Sequence, residues 1–139
     1  MTNPVSLTLA TLLAMAPALA TAQTSATAAA RVAAGDWLSK LDAADYPATW
    51  GSAAAVFKAA ISVQGWQQAA QSARQPLGGL RNRVEQSTTF TRTLPGVADG
   101  PCVVLQYRAA YDNQALATET VTAKLEADGS WKVAGYFIQ

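Results

Sequence analysis

Residues 117–137, ATETVTAKLEADGSWKVAGYF, decide the fold. Val121, Ala123 and Leu125 alternate with Thr118, Thr120, Thr122, Lys124 and Glu126, the two-residue period of a strand with one buried face. Asp128-Gly129 follows, a dipeptide suited to the positive φ of a tight hairpin turn. Beyond the turn, Trp131, Val133 and Phe137 are expected on the buried face and Lys132 on the other. The same pattern runs backwards. Residues 102–111 alternate Val103, Leu105, Tyr107 and Tyr111 against Gln106 and Arg108. Residues 82–94, rich in threonine and β-branched side chains, supply another strand. Between these two, LPGVADGP (residues 94–101) places two prolines and two glycines in a connecting loop.

Before Leu80 the apolar period lengthens to that of a helix. A first helix is predicted from about Ala28 to Ala44, with Val32, Trp37, Leu38 and Leu41 on one side. Tyr46-Pro47 should end it, because proline pushes the preceding residue out of the α region. A second, about Ala48 to Ile61, lines up Trp50, Ala54, Phe57 and Ile61. A third begins at Ser62 as N-cap, turns Trp66, Ala70, Ala73 and Leu77 inward, and stops across Pro76 to Gly79. Three helices followed by four antiparallel strands predict an α+β domain, its N-terminal helices packed on one face of a curved four-stranded sheet.

The front end reads as an address. Residues 5–22, VSLTLATLLAMAPALATA, are apolar and uncharged, and Ala20-Thr21-Ala22 supplies the small residues of an export-signal cleavage site. The MTNPVS lead carries no Lys or Arg, and an uncleaved anchor is the competing reading. The expected organisation is a signal peptide over residues 1–22, a short lead-in over 23–27 and one α+β domain over 28–139, periplasmic or secreted. Composition narrows the chemistry further. Ten Lys and Arg against nine Asp and Glu leave a net charge of +1, too little basic field for gripping phosphates. With no histidine and one cysteine, neither a thiolate metal cage nor an intrachain disulfide is available.

Taken together, LPGVADGPCVVLQY, ATETVTAKLEADGSWKVAGYFIQ and the upstream ARVAAGDWLSKLDAADYPATW, AAAVFKAAISVQGWQQAA and RQPLGGLRNR carry a resemblance. Over about residues 28–139 the chain resembles a bacterial exported family known only as a domain of unknown function, the four-thousand-and-nineteenth of that series. It departs at Ala98, where the family usually has a second proline, and at Cys102 and Tyr111, which stand for tyrosine and phenylalanine. The resemblance implies an exported domain with a cone-like fold, cystatin-like or nuclear-transport-factor-2-like. It brings no activity and no functional residues.

Among the residues themselves, Glu119 stands out because it is in phase with the buried Val121, Ala123 and Leu125. A buried carboxylate needs a cationic partner. Arg74, Arg81, Arg83 and Arg108 are the candidates, and the resemblance singles out Arg74 and Arg83 as the family-pattern positions just before and after the helix-to-strand turn. Arg81 and Arg83, alternating with Glu85, also fit a solvated ladder. Asp42, Asp45 and Tyr46 read as capping and turn residues, Cys102 as a packed thiol, and the four tryptophans as core. The favoured reading of the pair is a structural ion pair that pins the end of the third helix to the sheet. The alternative, a pair lining the open mouth of a cone and binding a polar or anionic group, gives Glu119, Arg74, Arg83 and Tyr107 as binding candidates, with no catalytic residue, metal or cofactor assigned.

Three functions fit this pattern. The leading one is a non-enzymatic exported domain that binds a small molecule or an envelope protein, with no nucleic acid and no stable membrane insertion. It could pair as a homodimer through an outer sheet face bearing Val104, Thr120, Thr122, Tyr136 and Ile138. The second is a small cone enzyme using a carboxylate base with Tyr107 or Tyr136 as hydrogen-bond donor. The third is a structural accessory of the envelope.

Overall fold

The structure, a computed structural model, describes residues 16–139. Most of the apolar run read as an export signal therefore lies outside the described residues. Four helices, α1 (Ala16–Asp42), α2 (Tyr46–Gly51), α3 (Ala55–Ala60) and α4 (Val63–Arg74), precede four strands. The strands are β1 (Leu80–Thr91), β2 (Cys102–Tyr111), β3 (Gln114–Leu125) and β4 (Trp131–Ile138). They pair antiparallel in sequence order as an open sheet. The α+β class and the order of helices before strands are as the sequence indicates. Among the described residues, no helix is long and apolar enough to cross a membrane.

The helical layer is more broken than its periodicity suggests. α1 does not reach Tyr46-Pro47. It closes at Asp42, about one turn earlier, where the Ala44 amide bonds to the Leu41 carbonyl and the Asp45 amide to that of Lys40. This paired closure needs a residue in the left-handed region, and Ala44 takes it at φ 57°. Tyr46-Pro47 instead opens α2, where proline's missing N–H costs nothing, and Asp45 caps that helix by accepting from the Ala48 amide. The single helix expected over 48–61 is split at Ser52–Ala54, whose chain turns to place the Ala54 amide on the Val133 carbonyl of β4. Ser62 caps α4 as expected, its Oγ accepting from the Gly65 amide at 3.1 Å.

Aromatic rings fill the space between the helices and the sheet. Trp37 stacks at 5.7 Å from Trp66 and 5.4 Å from Tyr136, while Phe57 meets Trp66 edge-on at 5.0 Å. Such contacts add roughly 0.5–1.5 kcal/mol each beyond the area they bury. Their polar atoms converge on Thr49, which is wholly buried. The Trp37 indole donates to the Thr49 carbonyl at 2.9 Å, the Trp66 indole donates to Thr49 Oγ1 at 2.8 Å, and that hydroxyl donates to the Tyr46 carbonyl. Trp50 and Trp131 pack at the margin of this core. Val32, read as part of the inward stripe of α1, is exposed; Ala30, Ala34, Trp37, Leu38 and Leu41 form it instead.

β4 departs from simple alternation. Ala123 pairs with Val133 but Thr122 pairs with Gly135, so Ala134 is an extra residue on β4. Such a bulge reverses the phase of everything after it. Tyr136 and Ile138, expected on the outer face, therefore turn inward to the core, and Phe137, expected inside, is exposed on the outer face.

Candidate functional site

Two helices end their buried stripes in a charge. On α1, Ala30, Ala34 and Leu38 recur every fourth residue, and the next step is Asp42. On α4, Trp66 and Ala70 lead in the same way to Arg74, while Ala73, expected inward, is exposed. Successive residues at this spacing stack along one helix face, so both charges are delivered to the sheet. The sheet answers with Glu119 from β3 and Arg83 from β1. Glu119 is fully buried, as its phase requires. Arg83 reaches the inner face because Arg81 is an extra residue in β1, between Leu80 opposite Tyr111 and Asn82 opposite Ala110.

The four groups form one closed network. Arg83 holds Glu119 in a two-pronged grip, Nε to Oε1 at 2.8 Å and Nη2 to Oε2 at 3.2 Å. The same guanidinium grips Asp42, Nη1 to Oδ2 at 2.7 Å and Nη2 to Oδ1 at 2.9 Å. Arg74 donates to Asp42 Oδ1 at 2.7 Å and to the Tyr136 hydroxyl at 3.3 Å, and lies 3.8 Å from Glu119 Oε2. Tyr136 completes the set by donating to Glu119 Oε2 at 2.6 Å. Two carboxylates and two guanidiniums balance in charge, which makes their burial affordable. Helix ends and sheet are thereby clasped together.

Electrostatics follow from this geometry. Burial pushes against the charge on Asp42, but hydrogen bonds from Arg83 and Arg74 outweigh it and hold the carboxyl below the usual aspartate range. Burial likewise opposes the charge on both arginines; Tyr136, Asp42, Tyr111 and Glu119 raise Arg74 above the ordinary value, and Asp42 and Glu119 raise Arg83. The Tyr136 phenol is driven far up by burial and then by the Glu119 carboxylate beside it. Tyr111, whose ring lies 5.0 Å beneath the Arg74 guanidinium, is pushed up to about 12 by burial and the Glu119 charge. Its buried hydroxyl makes no hydrogen bond.

The other candidates separate from this centre. Tyr107 sits opposite Glu119 in register and is buried on the inner face, but Tyr136, not Tyr107, bonds the carboxylate. Arg81 is exposed and pairs with Asp112, and Arg108 is exposed on the outer face. Arg83 and Glu85 share a side of β1, yet α1 covers them both: Asp42 takes Arg83, and Arg31 takes Glu85 at 2.9 Å. Both contacts reach the helix, but the solvated ladder holds for the exposed Arg81 and Glu85 and fails only for Arg83, which is drawn into the network. Asp45 is the cap it was expected to be, whereas Asp42 is the bridge between both arginines. Cys102 is a buried free thiol. Among the described residues, no group of three or more acids or thiols could hold a metal ion.

Beside the network opens a cleft of about 490 Å³, lined by the end of α1 (Leu41, Asp42, Ala44), the start of α2 (Tyr46, Pro47) and one side of α4. Gln67, Gln71 and Gln75 stand along that side one helical turn apart, with Arg74 beside them. All three glutamine side chains are exposed to solvent.

Fold and site together define a small α+β domain whose helices are fastened to an open sheet by a buried acid–arginine–tyrosine network flanking a polar cleft. The family model described as protein of unknown function (DUF4019) matches residues 33–136, and the chain belongs to that family. No curated protein and no solved structure matches the chain.

Proposed function

We propose that the protein is an exported, non-enzymatic binding module that takes a small polar molecule in the cleft between α1, α2 and α4. The observation that carries this reading is the row of three solvent-facing glutamines that line the cleft with Arg74, which the network holds in place through Asp42 and Tyr136. Amides at one-turn spacing offer both donors and acceptors, and a guanidinium fixed by Asp42 and Tyr136 needs no reordering when a ligand arrives. Export is supported by the apolar, uncharged run at residues 5–22 and its small-residue end.

Against catalysis stands the state of Glu119. A base must offer a lone pair to substrate, and both oxygens of this carboxylate already accept from Arg83 and Tyr136 inside the core. Native mass spectrometry of the protein purified without denaturation, with ligand-observed NMR against a library of polar metabolites, tests the reading. A retained or binding polar molecule, lost in Gln71→Leu with the fold intact, is the expected result. Equal behaviour of wild type and variant across the library would overturn it.

A further inference from the structure

All four helices pack on one side of the sheet, and the other side is bare except where the 92–101 loop folds over its end. Every ionisable side chain that the strands place on this bare face and that is charged at neutral pH is a cation. Arg108 on β2, Lys124 on β3 and Lys132 on β4 alternate with inward residues. Eight of the nine acids of the chain lie on the helices, the inner face or the turns. The ninth, Asp99, lies in the loop that folds over the end of the face, beside the Ala98 and Gly100 that Lys124 approaches. Lys124 and Lys132 stand directly opposite each other in register. Like charges so placed weaken a sheet, so the arrangement works against stability. Lys124 reaches only the Ala98 carbonyl, at 3.4 Å, and Asp128 in the β3–β4 turn feels the charge of Lys132. Arg108 has no partner among the described residues.

The same face gathers exposed apolar groups. Val84 is 48% exposed, Leu116 60% and Phe137 58%, three of the five large apolar side chains that stand open to water among the described residues. Val84 pairs with Arg108, and Phe137 pairs with Thr120 in the adjoining row. Towards the loop, a hollow of about 360 Å³ opens between Val104 and Leu94. Arg108 and the lysine pair lie at opposite ends of the face, six residues apart along β3 register, or roughly 20 Å.

We infer that the bare sheet face is a docking surface for a protein partner that presents carboxylates set among apolar side chains. A second copy of this chain would bring cation against cation, and like-charge juxtaposition costs several kcal/mol. An anionic membrane favours clusters of four or more basic residues, whereas these three are spread over the length of the sheet. Spaced cations with apolar ground between them suit a partner with fixed acidic positions.

The test is residue-resolved NMR titration with two defined probes, an acetylated octapeptide of alternating Glu and Val and its Lys and Val counterpart. The glutamate peptide should shift the amides of Val84, Arg108 and Phe137, more weakly as salt rises, and the lysine peptide should not. Combined Arg108→Glu, Lys124→Glu and Lys132→Glu should reverse that preference and weaken the glutamate peptide by roughly tenfold or more. Arg108 is exposed and the two lysines are half-buried, so should the triple variant misfold, Arg108→Glu alone carries the test. Equal response to both peptides, or none, would overturn the inference. So would dilution-dependent shifts at these residues without peptide, which mean self-association, or binding to phosphatidylglycerol vesicles in place of the glutamate peptide.

Discussion

The Tyr136 hydroxyl donates to Glu119 Oε2 across 2.6 Å, on a carboxylate that Arg83 grips from the other side. Tyr111 contributes a second phenol that feels the same carboxylate, but its buried hydroxyl meets no partner at hydrogen-bonding geometry. Two tyrosines of one environment thus differ in one respect that mutation can read. Tyr136→Phe removes a hydrogen bond to a charged group and should lower unfolding free energy by roughly 1.5–3 kcal/mol. Tyr111→Phe removes a buried hydroxyl with no partner and should be neutral or stabilising. Urea midpoints of both variants, measured side by side, check the contrast.

Removing the acid at the centre should be harsher. Glu119→Ala leaves Arg83 and Arg74 with an uncompensated buried charge and is expected to cost roughly 3–5 kcal/mol. A loss below about 1 kcal/mol in chemical denaturation would mean that the network contributes little to holding helices and sheet together.

Asp42 makes the clasp sensitive to acid. Its carboxyl titrates below the 3.8 of free aspartate, because Arg83 and Arg74 outweigh the burial that would raise it. The unfolded chain therefore binds the proton more readily, and the stabilisation is complete above that value. It is lost as pH falls from there through the folded value. Asp42→Asn should be less stable at neutral pH and show a flatter decline below about pH 4 than wild type. A pH series of thermal melts gives both slopes.

Ala44 holds a left-handed conformation where glycine is the usual choice. Ala44→Gly relieves the Cβ contact and should raise stability by roughly 0.5–1 kcal/mol, with the greater freedom of glycine in the unfolded chain already subtracted. Because Ala44 also lines the cleft, calorimetry of the folded variant with any ligand found there will show whether the gain carries into binding.

Trp66 touches Trp37, Phe57 and Tyr136 and donates to Thr49. Trp66→Ala should cost roughly 3–5 kcal/mol through the cavity it leaves. An equally stable, folded variant would contradict the placement of this ring at the centre of the core.

Much of this was legible from residue order. Glu119 shares the phase of Val121 and Ala123, so its burial and its need for an arginine follow from alternation alone, while the choice of Arg74 and Arg83 over the nearer Arg81 comes from the family pattern. Asp42 was harder to read because acids near helix ends commonly cap or turn the chain. The available signal was the four-residue step from Ala34 through Leu38 to Asp42, mirrored by Trp66, Ala70 and Arg74. The exchange of Tyr136 and Phe137 had no such signal. A bulge depends on how two strands settle against each other, and Ala134 carries no mark of it. Gly51-Ser52 divides the helix expected over 48–61 for a similar reason: the Ala54 amide finds its acceptor on β4, a contact remote in sequence.

The additional residue at Ala134 gives β4 an unusual genetic tolerance. Loss of that one codon would leave Gly135 opposite Thr122 and Tyr136 opposite Val121, so the ladder would become regular while the phenol stayed on Glu119. Relatives of this chain should therefore occur with either one or two residues between the counterparts of Val133 and that tyrosine.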